Sequence, residues 1–259
     1  MSPDKIIVIG AGAGGMMAAG RAAELGAGVV LLEKTAHPGQ KLLISGKSRC
    51  NLSNAREIDD FIAMYGENGR FLYGVFSRFF RDDLLAFLGR YGVETKTERG
   101  GRIFPASDEA GDVLRALERY LSDNGAILRT ESPVTGIAVE NGVVTGVHAG
   151  SEFSPASAVI LATGGCSFPG TGSTGDGYRM AASLGHGITR LRPALVPLVV
   201  DDTERAKSMQ GVSLRNVRLT SFRCPAEKID TAILPSSDSG RGITIKQPRP
   251  PVIERKSVV

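Results

Sequence analysis

The first 33 residues place the strongest constraint on the fold of this chain. An apolar, strand-like run at residues 5–9 leads into Gly10-Ala11-Gly12-Ala13-Gly14-Gly15, and a helical pattern of small residues follows. A second apolar run, residues 29–32, ends on the acidic Glu33. A strand, a G-x-G-x-x-G turn, a helix, a second strand and an acid in this order are typical of a dinucleotide-binding unit. The alternative is a glycine-rich turn in an ordinary α/β protein. Such a turn would not need the two flanking strands, the helix and the acid.

The glycines and the acid of this unit have separate expected roles. Gly10 permits the tight turn, Gly12 lets the backbone approach a pyrophosphate, and Gly15 lets the helix pack closely on the strand. The free N–H groups and the partial positive charge at the helix start favour a phosphate there. Glu33 lies 18 residues after Gly15, where a carboxylate can accept hydrogen bonds from both ribose hydroxyls. Its neighbour Lys34 is a further candidate contact.

Later sequence patterns predict the rest of the fold. Apolar residues recur every three or four positions over residues 58–65 and 70–91, which predicts helices, and alternation around Gly100-Gly101 predicts a hairpin. The remaining predicted elements are a capped helix at residues 107–121, short strands at 126–129, 134–139, 143–148 and 158–161, an Asn141-Gly142 turn, and a helix from 176 to about 184. This order predicts the α/β class, a three-layer FAD/NAD(P)-binding Rossmann-like fold with an inserted antiparallel β-meander. The arrangement is commoner for FAD than for NAD enzymes.

Charge and composition exclude several other functions. The formal net charge is +4, but residues 222–259 carry seven basic against four acidic residues, so the body of the chain is nearly neutral and does not suggest a nucleic-acid partner. Three scattered histidines give no metal-ligand spacing, and three cysteines form no C-x-x-C pair, which suits a reducing compartment. No signal peptide or membrane span is readable, so we expect a cytoplasmic protein with no membrane partner.

Two further glycine motifs do not indicate nucleotide sites. Gly46-Lys47-Ser48 resembles the end of a P-loop, but the first glycine of that motif would have to stand at position 41, which is a lysine. Residues 170–175 form a second literal G-x-G-x-x-G, yet the nearest predicted strand ends about eight residues earlier. We interpret this second motif as a turn that leads into the helix at Asp176.

The segment from Ser45 to Asn51 is unusual for a plain loop. Ser45, Gly46 and Asn51 are candidates to line a flavin ring or ribityl chain, and Arg49 would offer fixed positive charge to a reduced flavin or to phosphates. A solvated loop with one buried cysteine is an equally good interpretation of the same composition. Cys50 by itself is typical of a small buried residue rather than a nucleophile, because no neighbouring histidine or second cysteine would activate it.

Four blocks of sequence carry a resemblance to a known family. They are IGAGAGGMMAA, QKLLISGKSRCNLSN, GRIFPAS and ATGGCSFPGTGSTGDGYRMAASLGH, within about residues 4–220. The chain resembles the BaiN-like, or aminoacetone-oxidase-like, family of bacterial FAD-dependent oxidoreductases. The FAD contacts that the resemblance implies are Gly10, Ala11, Gly12, Ala13, Gly14, Gly15, Glu33, Lys41, Ser45, Gly46, Arg49, Cys50, Asn51, Val134, Ala162, Thr163 and Gly164. No catalytic residue and no metal follow from it.

The same resemblance sets expectations for activity and domain organisation. It implies an oxidoreductase that moves hydride or electrons between FAD and a small organic substrate, with NAD(P)H as a candidate electron donor; some family members act on enone-type bile acid intermediates. Lys47-Ser48 stands where the family usually has glycines. We expect an FAD-binding domain at residues 1–193, the start of an inserted substrate domain at 194–221, and an irregular tail at 222–259 where the resemblance stops.

Three functions remain open at this point. The first is an FAD-dependent oxidoreductase, which as a piece of a longer enzyme would hold FAD weakly and turn over poorly alone. The second is a non-catalytic FAD-binding remnant. The third is a fumarate-reductase-like dehydrogenase, suggested by a weaker likeness through the ATGG and GDG sequences.

Overall fold

The computed structural model describes residues 5–193, 203–212, 219–222 and 243–246 of the chain. It divides into two compact units, residues 1–189 and 190–259. The strands are β1 (Lys5–Ile9), β2 (Gly28–Leu32), β3 (Ser53–Asn54), β4 (Thr95–Thr97), β5 (Arg102–Pro105), β6 (Ile127–Arg129), β7 (Val134–Glu140), β8 (Val143–Ala149), β9 (Glu152–Pro155), β10 (Ala158–Leu161), β11 (Leu219–Phe222) and β12 (Ile243–Lys246). The α-helices are α1 (Ala13–Glu24), α2 (Gln40–Ser48), α3 (Ile58–Ala63), α4 (Tyr73–Phe76), α5 (Arg81–Arg90), α6 (Ala110–Asp123), α7 (Asp176–Ser183) and α8 (Thr203–Ser208).

A parallel four-stranded sheet forms the centre of the first unit. Its strand order is β10-β1-β2-β6, and β1 pairs along its length with both neighbours. In this order the second strand of the glycine motif lies directly beside the first, so the carboxyl ends of β1 and β2 meet at one edge. Ligands of open α/β sheets bind at that edge.

The two faces of the sheet are covered by different layers. Val8 packs with helices α1 and α6 in one buried cluster, whereas Ile7 and Ile9 pack with β8 and α7 in a second. Successive side chains of a strand point to opposite faces. The clusters therefore lie on opposite sides of the sheet. The predicted three-layer Rossmann-type fold is confirmed.

The inserted antiparallel piece is also confirmed. Strands β7, β8 and β9 pair in sequence order, and β8 contributes the fully buried Val147 to the core beneath the sheet. Asn141 and Gly142 join β7 to β8 with φ angles of 52° and 80°. Two consecutive positive φ angles define the hairpin turn that Asn-Gly favours.

A second small sheet and a group of short helices lie after α2. Strands β4 and β5 form the hairpin predicted around Gly100-Gly101, and β3 pairs with β5 on its other edge. The predicted helix over residues 70–91 is wrong as one element, because a 3₁₀ helix (Gly66–Leu72), α4 and α5 replace it. The backbone is extended at Phe80, whose N–H donates to the Asp83 carboxylate at 2.8 Å and starts α5 anew.

The second unit contains α8 and a parallel pair of strands, β11 and β12. Strand β12 lies inside the range that the sequence predicts to be irregular. Its four residues, Ile-Thr-Ile-Lys, alternate between apolar and polar, a pattern too short to stand out among five prolines. The rest of residues 223–259 lies outside the described residues. Within the described ranges, no helix has the length and apolar character needed to cross a membrane.

Candidate functional site

The glycine turn between β1 and α1 is shaped by two close contacts. Gly10 has φ of 100°, and a Cβ there would lie 2.6 Å from the carbonyl oxygen of Ala162. A Cβ on Gly15 would lie 1.8 Å from the carbonyl oxygen of Gly10. Both positions therefore exclude any side chain, and the packing role expected for Gly15 matches its surroundings.

The other motif glycines face open space instead. A Cβ on Gly12 or on Gly14 would meet nothing within 4 Å. Gly12 is the residue before α1, so the first N–H groups of that helix lie next to this open surface. Those groups have no partner inside a helix and carry a partial positive charge. The turn can thus receive a pyrophosphate by its backbone alone.

Glu33 lies at the end of β2 with its carboxylate held against the glycine turn. One carboxylate oxygen accepts a hydrogen bond from Ala11 N–H at 2.8 Å. The other accepts hydrogen bonds from the Thr35 N–H at 2.9 Å and from the Thr35 hydroxyl at 2.8 Å. A carboxylate offers about four acceptor sites. Three are used within the protein, and the half-buried side chain borders a cavity at this edge of the sheet.

A cavity of about 610 Å³ opens at this edge of the sheet. Its size is within the range of small-molecule and cofactor sites. Most residues predicted from the sequence to contact FAD line it: Gly10, Ala11, Gly12, Ala13, Gly14, Glu33, Lys34, Lys41, Ser45, Cys50, Asn51, Val134, Ala162, Thr163 and Gly164. The structure therefore brings together segments that are more than 100 residues apart in the chain.

Three predicted residues do not line the cavity. Gly15 lies behind the turn, against Gly10. A Cβ on Gly46 would meet the backbone nitrogen of Asn51 at 2.8 Å and the Phe104 ring at 3.0 Å. The Arg49 guanidinium is paired with carboxylates of the β4–β5 region, which the sequence gives no means of anticipating.

The segment that follows the first turns of α2 has an unusual backbone. Gly46, Lys47 and Ser48 all have φ near +60°, and Cys50 repeats this conformation after one right-handed residue. A hydrogen bond of 3.0 Å from Cys50 N–H to the Ser45 carbonyl closes the turn. Left-handed conformations cost non-glycine residues about 1–2 kcal/mol each. Such strain persists only where surrounding contacts impose it.

Cys50 is only 5% exposed, and burial raises the pKa of its thiol. This agrees with the expectation of a small buried residue, because the thiolate is the reactive form. Asn51 follows with its side-chain amide within 3.2 Å of the Ile103 carbonyl and 3.1 Å of the Ser53 carbonyl. Both residues line the cavity.

The second G-x-G-x-x-G contributes to the wall in a way that the sequence does not indicate. Lys34 Nζ donates to the Asp176 carboxylate at 2.6 Å and to the Thr174 hydroxyl at 2.7 Å. Lys41 Nζ donates to the buried Ser173 hydroxyl at 2.6 Å. Helix α7 begins at Asp176, which confirms the interpretation of this motif as a turn leading into a helix.

Sequence reasoning missed the apolar part of the lining. These side chains come from α1, α2, α5, α6 and α7 and the segment after α2, and they include Met17, Leu42, Leu52, Leu84, Phe87, Leu88, Val113, Leu117 and Met180. Helical periodicity identifies most of them as core positions but does not show that they border a cavity. No group of three or more histidine, cysteine, aspartate or glutamate residues suited to a metal occurs among the described residues.

A parallel sheet, an open glycine turn at a helix start and an acid after the second strand define a dinucleotide-binding Rossmann domain. The family model described as the HI0933-like protein Rossmann domain matches residues 4–246, and the chain belongs to this family. The match runs past Ser221, so the expectation that the resemblance stops there is wrong. It includes β12, whose short pattern the surrounding prolines conceal.

Two curated relatives show how far the likeness extends. The chain is 38% identical over 208 residues to a 3-dehydro-bile acid delta(4,6)-reductase of Clostridium scindens, which covers 79% of this chain and 50% of that protein. It is 29% identical over 217 residues to a ribosomal RNA dihydrouridine synthase of Escherichia coli, and this match covers 82% of this chain and 52% of that protein. The chain thus spans about half the length of the curated relatives it matches.

Two solved structures share the fold. Mycobacterium smegmatis Sdh1 in complex with UQ1 matches with a TM-score of 0.52 and 19% identity, over 70% of this chain and 39% of that one. A flavocytochrome c3 fumarate reductase in an open conformation matches with a TM-score of 0.50 and 21% identity, over 70% and 41%. At these identities the likeness concerns the fold alone.

Proposed function

We propose that this chain is the FAD-binding part of a flavoprotein oxidoreductase. The observation that carries the proposal is the open surface at Gly12 and Gly14, with the Glu33 carboxylate beside it and a cavity of about 610 Å³ continuing from it. The cavity has room for more than a phosphate, and its walls are formed by the segments that the family resemblance assigns to FAD.

The residues present fit an FAD molecule. The turn from Gly10 to Gly14 would hold the pyrophosphate, and the remaining acceptor site of Glu33 would accept a hydrogen bond from the adenosine ribose. The segments 45–51 and 162–164 would line the remainder of the molecule. When bound, FAD would supply hydride transfer, while the protein contributes binding, orientation and exclusion of water.

The names of the two relatives suggest one substrate class. Delta(4,6) reduction of a 3-dehydro bile acid and formation of dihydrouridine from uridine both saturate a carbon–carbon double bond conjugated to a carbonyl. We therefore propose a small α,β-unsaturated carbonyl compound as the substrate. Saturating one such bond takes a hydride and a proton; NAD(P)H would supply the hydride through the cofactor and solvent the proton.

Uridine in RNA is a second candidate substrate, favoured by the dihydrouridine synthase relative. The charge distribution disfavours it, because residues 1–221 carry 24 basic against 23 acidic residues. Neutralising RNA phosphates requires a surplus of lysine and arginine on the binding face. We place the small-molecule reductase first for this reason.

A bacterial, cytoplasmic setting fits the bacterial relatives and the free thiols of Cys50 and Cys166.

An anaerobic reduction experiment tests the proposal. Purified protein is supplied with FAD, reduced with NADH or NADPH, and then mixed with a 3-oxo-4-ene steroid, with uridine-containing RNA, or with fumarate. Reoxidation by the steroid with saturation of its double bond is the expected result. Reoxidation by fumarate alone would favour the fumarate-reductase-like alternative. Bound FAD that no acceptor reoxidises would favour a non-catalytic remnant.

A further inference from the structure

Arg49 lies in the turn of residues 45–50, whose backbone is left-handed at residues 46–48 and 50, and joins this turn to the hairpin of β4 and β5. Its guanidinium donates to both carboxylate oxygens of Glu98, at 2.7 and 3.3 Å, and to Asp108 at 3.2 Å. It also lies 4.0 Å from the centre of the Phe104 ring. Asp108 is held in turn by Lys96 at 2.6 Å. A planar guanidinium suits two-point pairing and ring stacking together, which an ammonium group does not.

These contacts use most of the donors of the guanidinium. It has five N–H donors, and three of them, on the two terminal nitrogens, already pair with the two carboxylates. Arg49 does not line the cavity, whereas its neighbours Cys50 and Asn51 do. The positive charge is also matched locally by Glu98 and Asp108. The arginine is therefore poorly placed to neutralise the charge of a cofactor.

The same contacts explain how the strained turn persists. Lys47, Ser48 and Cys50 adopt φ angles that oppose their intrinsic preference, so the turn needs external restraint. Arg49 is the residue within the turn that pairs with side chains on another element. A backbone hydrogen bond also holds the chain just after the turn to β5, because the Leu52 N–H donates to the Ile103 carbonyl at 2.8 Å.

We propose that Arg49 is a positioning residue. It clamps the turn of residues 45–50 onto the β4–β5 hairpin, so that Ser45, Cys50 and Asn51 stand at the cavity wall. Arg49 affects the cofactor indirectly, through the backbone on either side of Arg49. The part of this inference that concerns FAD affinity rests on the proposed function; the part that concerns the turn does not.

The burial of Cys50 gives a direct measure of the turn. In FAD-free protein Cys50 is 5% exposed, so loosening of the turn should accelerate its labelling by a thiol reagent, and mass spectrometry of the digested protein reads each cysteine separately. Cys166 is exposed and serves as the internal reference. We expect Arg49→Lys and Glu98→Gln each to accelerate labelling of Cys50 at least about tenfold relative to Cys166, because each removes part of the charge-assisted pair.

Arg102→Lys is the matched control. Arg102 approaches Glu98 only at 3.7 Å, is half exposed, and lies outside the turn. We expect this variant to label like the parent protein. Thermal melting shows which variants are folded, and Glu98→Gln keeps the test available if the Arg49 variant does not fold. Unchanged Cys50 labelling in folded Arg49→Lys and Glu98→Gln proteins would overturn the proposal.

FAD titration separates positioning from direct contact. If Arg49 positions the wall, Arg49→Lys and Glu98→Gln both raise the FAD dissociation constant, by about tenfold, because small misplacements of binding groups are costly. If Arg49 contacts the cofactor directly, Glu98→Gln frees its charge and strengthens binding, which would contradict positioning. Failure of the parent protein to bind FAD would refute the proposed function, and the labelling result would still decide the role of Arg49.

Discussion

The replacement of Glu33 gives the sharpest prediction for the site. In Glu33→Ala, the Ala11 N–H loses its acceptor at 2.8 Å, and Ala11 is fully buried. A buried donor without a partner costs about 1–3 kcal/mol, and we expect a loss of this size in the free energy of unfolding. Loss of one hydrogen bond from a ribose hydroxyl to a charged group should weaken FAD binding by about 1.5–3 kcal/mol, or roughly ten- to hundredfold.

Thr35→Val is the matched control for this replacement. It removes the hydroxyl that donates to Glu33 at 2.8 Å but leaves the carboxylate and the Ala11 contact in place. Since that hydroxyl occupies one acceptor site of the carboxylate, its removal should leave FAD affinity unchanged or raise it. FAD affinity is measured by titrating FAD into the apoprotein and following the flavin fluorescence. Stability is measured by unfolding in urea. A folded Glu33→Ala protein with the parent dissociation constant would refute the role of Glu33.

Three other predictions concern the backbone and the charge cluster. Gly12→Ala should change the unfolding free energy by less than about 1 kcal/mol yet weaken FAD binding. Gly15→Ala should lower the unfolding free energy in urea by about 3 kcal/mol, because its Cβ meets backbone. Equal losses of unfolding free energy in the two variants would contradict this. Lys47→Gly or Ser48→Gly should raise the unfolding free energy by about 0.5–1 kcal/mol, the relief of a left-handed conformation less the added freedom of the unfolded chain; a lower melting temperature would contradict it. Arg49 holds the pKa of Glu98 below its usual range, so the stability from this pair is present above the ordinary glutamate pKa and is lost as pH falls through the lowered one. The difference in melting temperature between parent and Glu98→Gln should therefore shrink as pH falls from 6 to 3, and a constant difference would argue against the pairing.

The sequence was sufficient for features that depend on neighbouring residues. The glycine turn, the Asn141-Gly142 hairpin and the start of α7 at Asp176 each follow from a few adjacent residues with restricted backbone conformations. The parallel sheet follows from the order of these local units. These predictions are correct because glycine, asparagine and helix starts favour a small set of backbone conformations.

Contacts between distant parts of the chain were beyond this reasoning. Lys34 meets Asp176 across 142 residues, and Arg49 meets Glu98 across 49. Each lysine or arginine could pair with any of many acids, and only the folded topology selects one. The single helix predicted over residues 70–91 was wrong for a local reason: the backbone is extended at Phe80 and its contact with Asp83 starts a new helix, although the apolar period continues.

The central claim is that the cavity beside the glycine turn takes FAD in preference to NAD. The direct measurement is calorimetric titration of the apoprotein with FAD, ADP and NAD⁺, on the parent chain and on Gly12→Ala. We expect FAD to bind at one molecule per chain, ADP to compete with it, NAD⁺ to bind far more weakly, and the Gly12 variant to bind FAD more weakly while remaining folded. Uptake of NAD⁺ without FAD by the folded parent protein, or FAD binding that Gly12→Ala leaves unchanged, would contradict the claim.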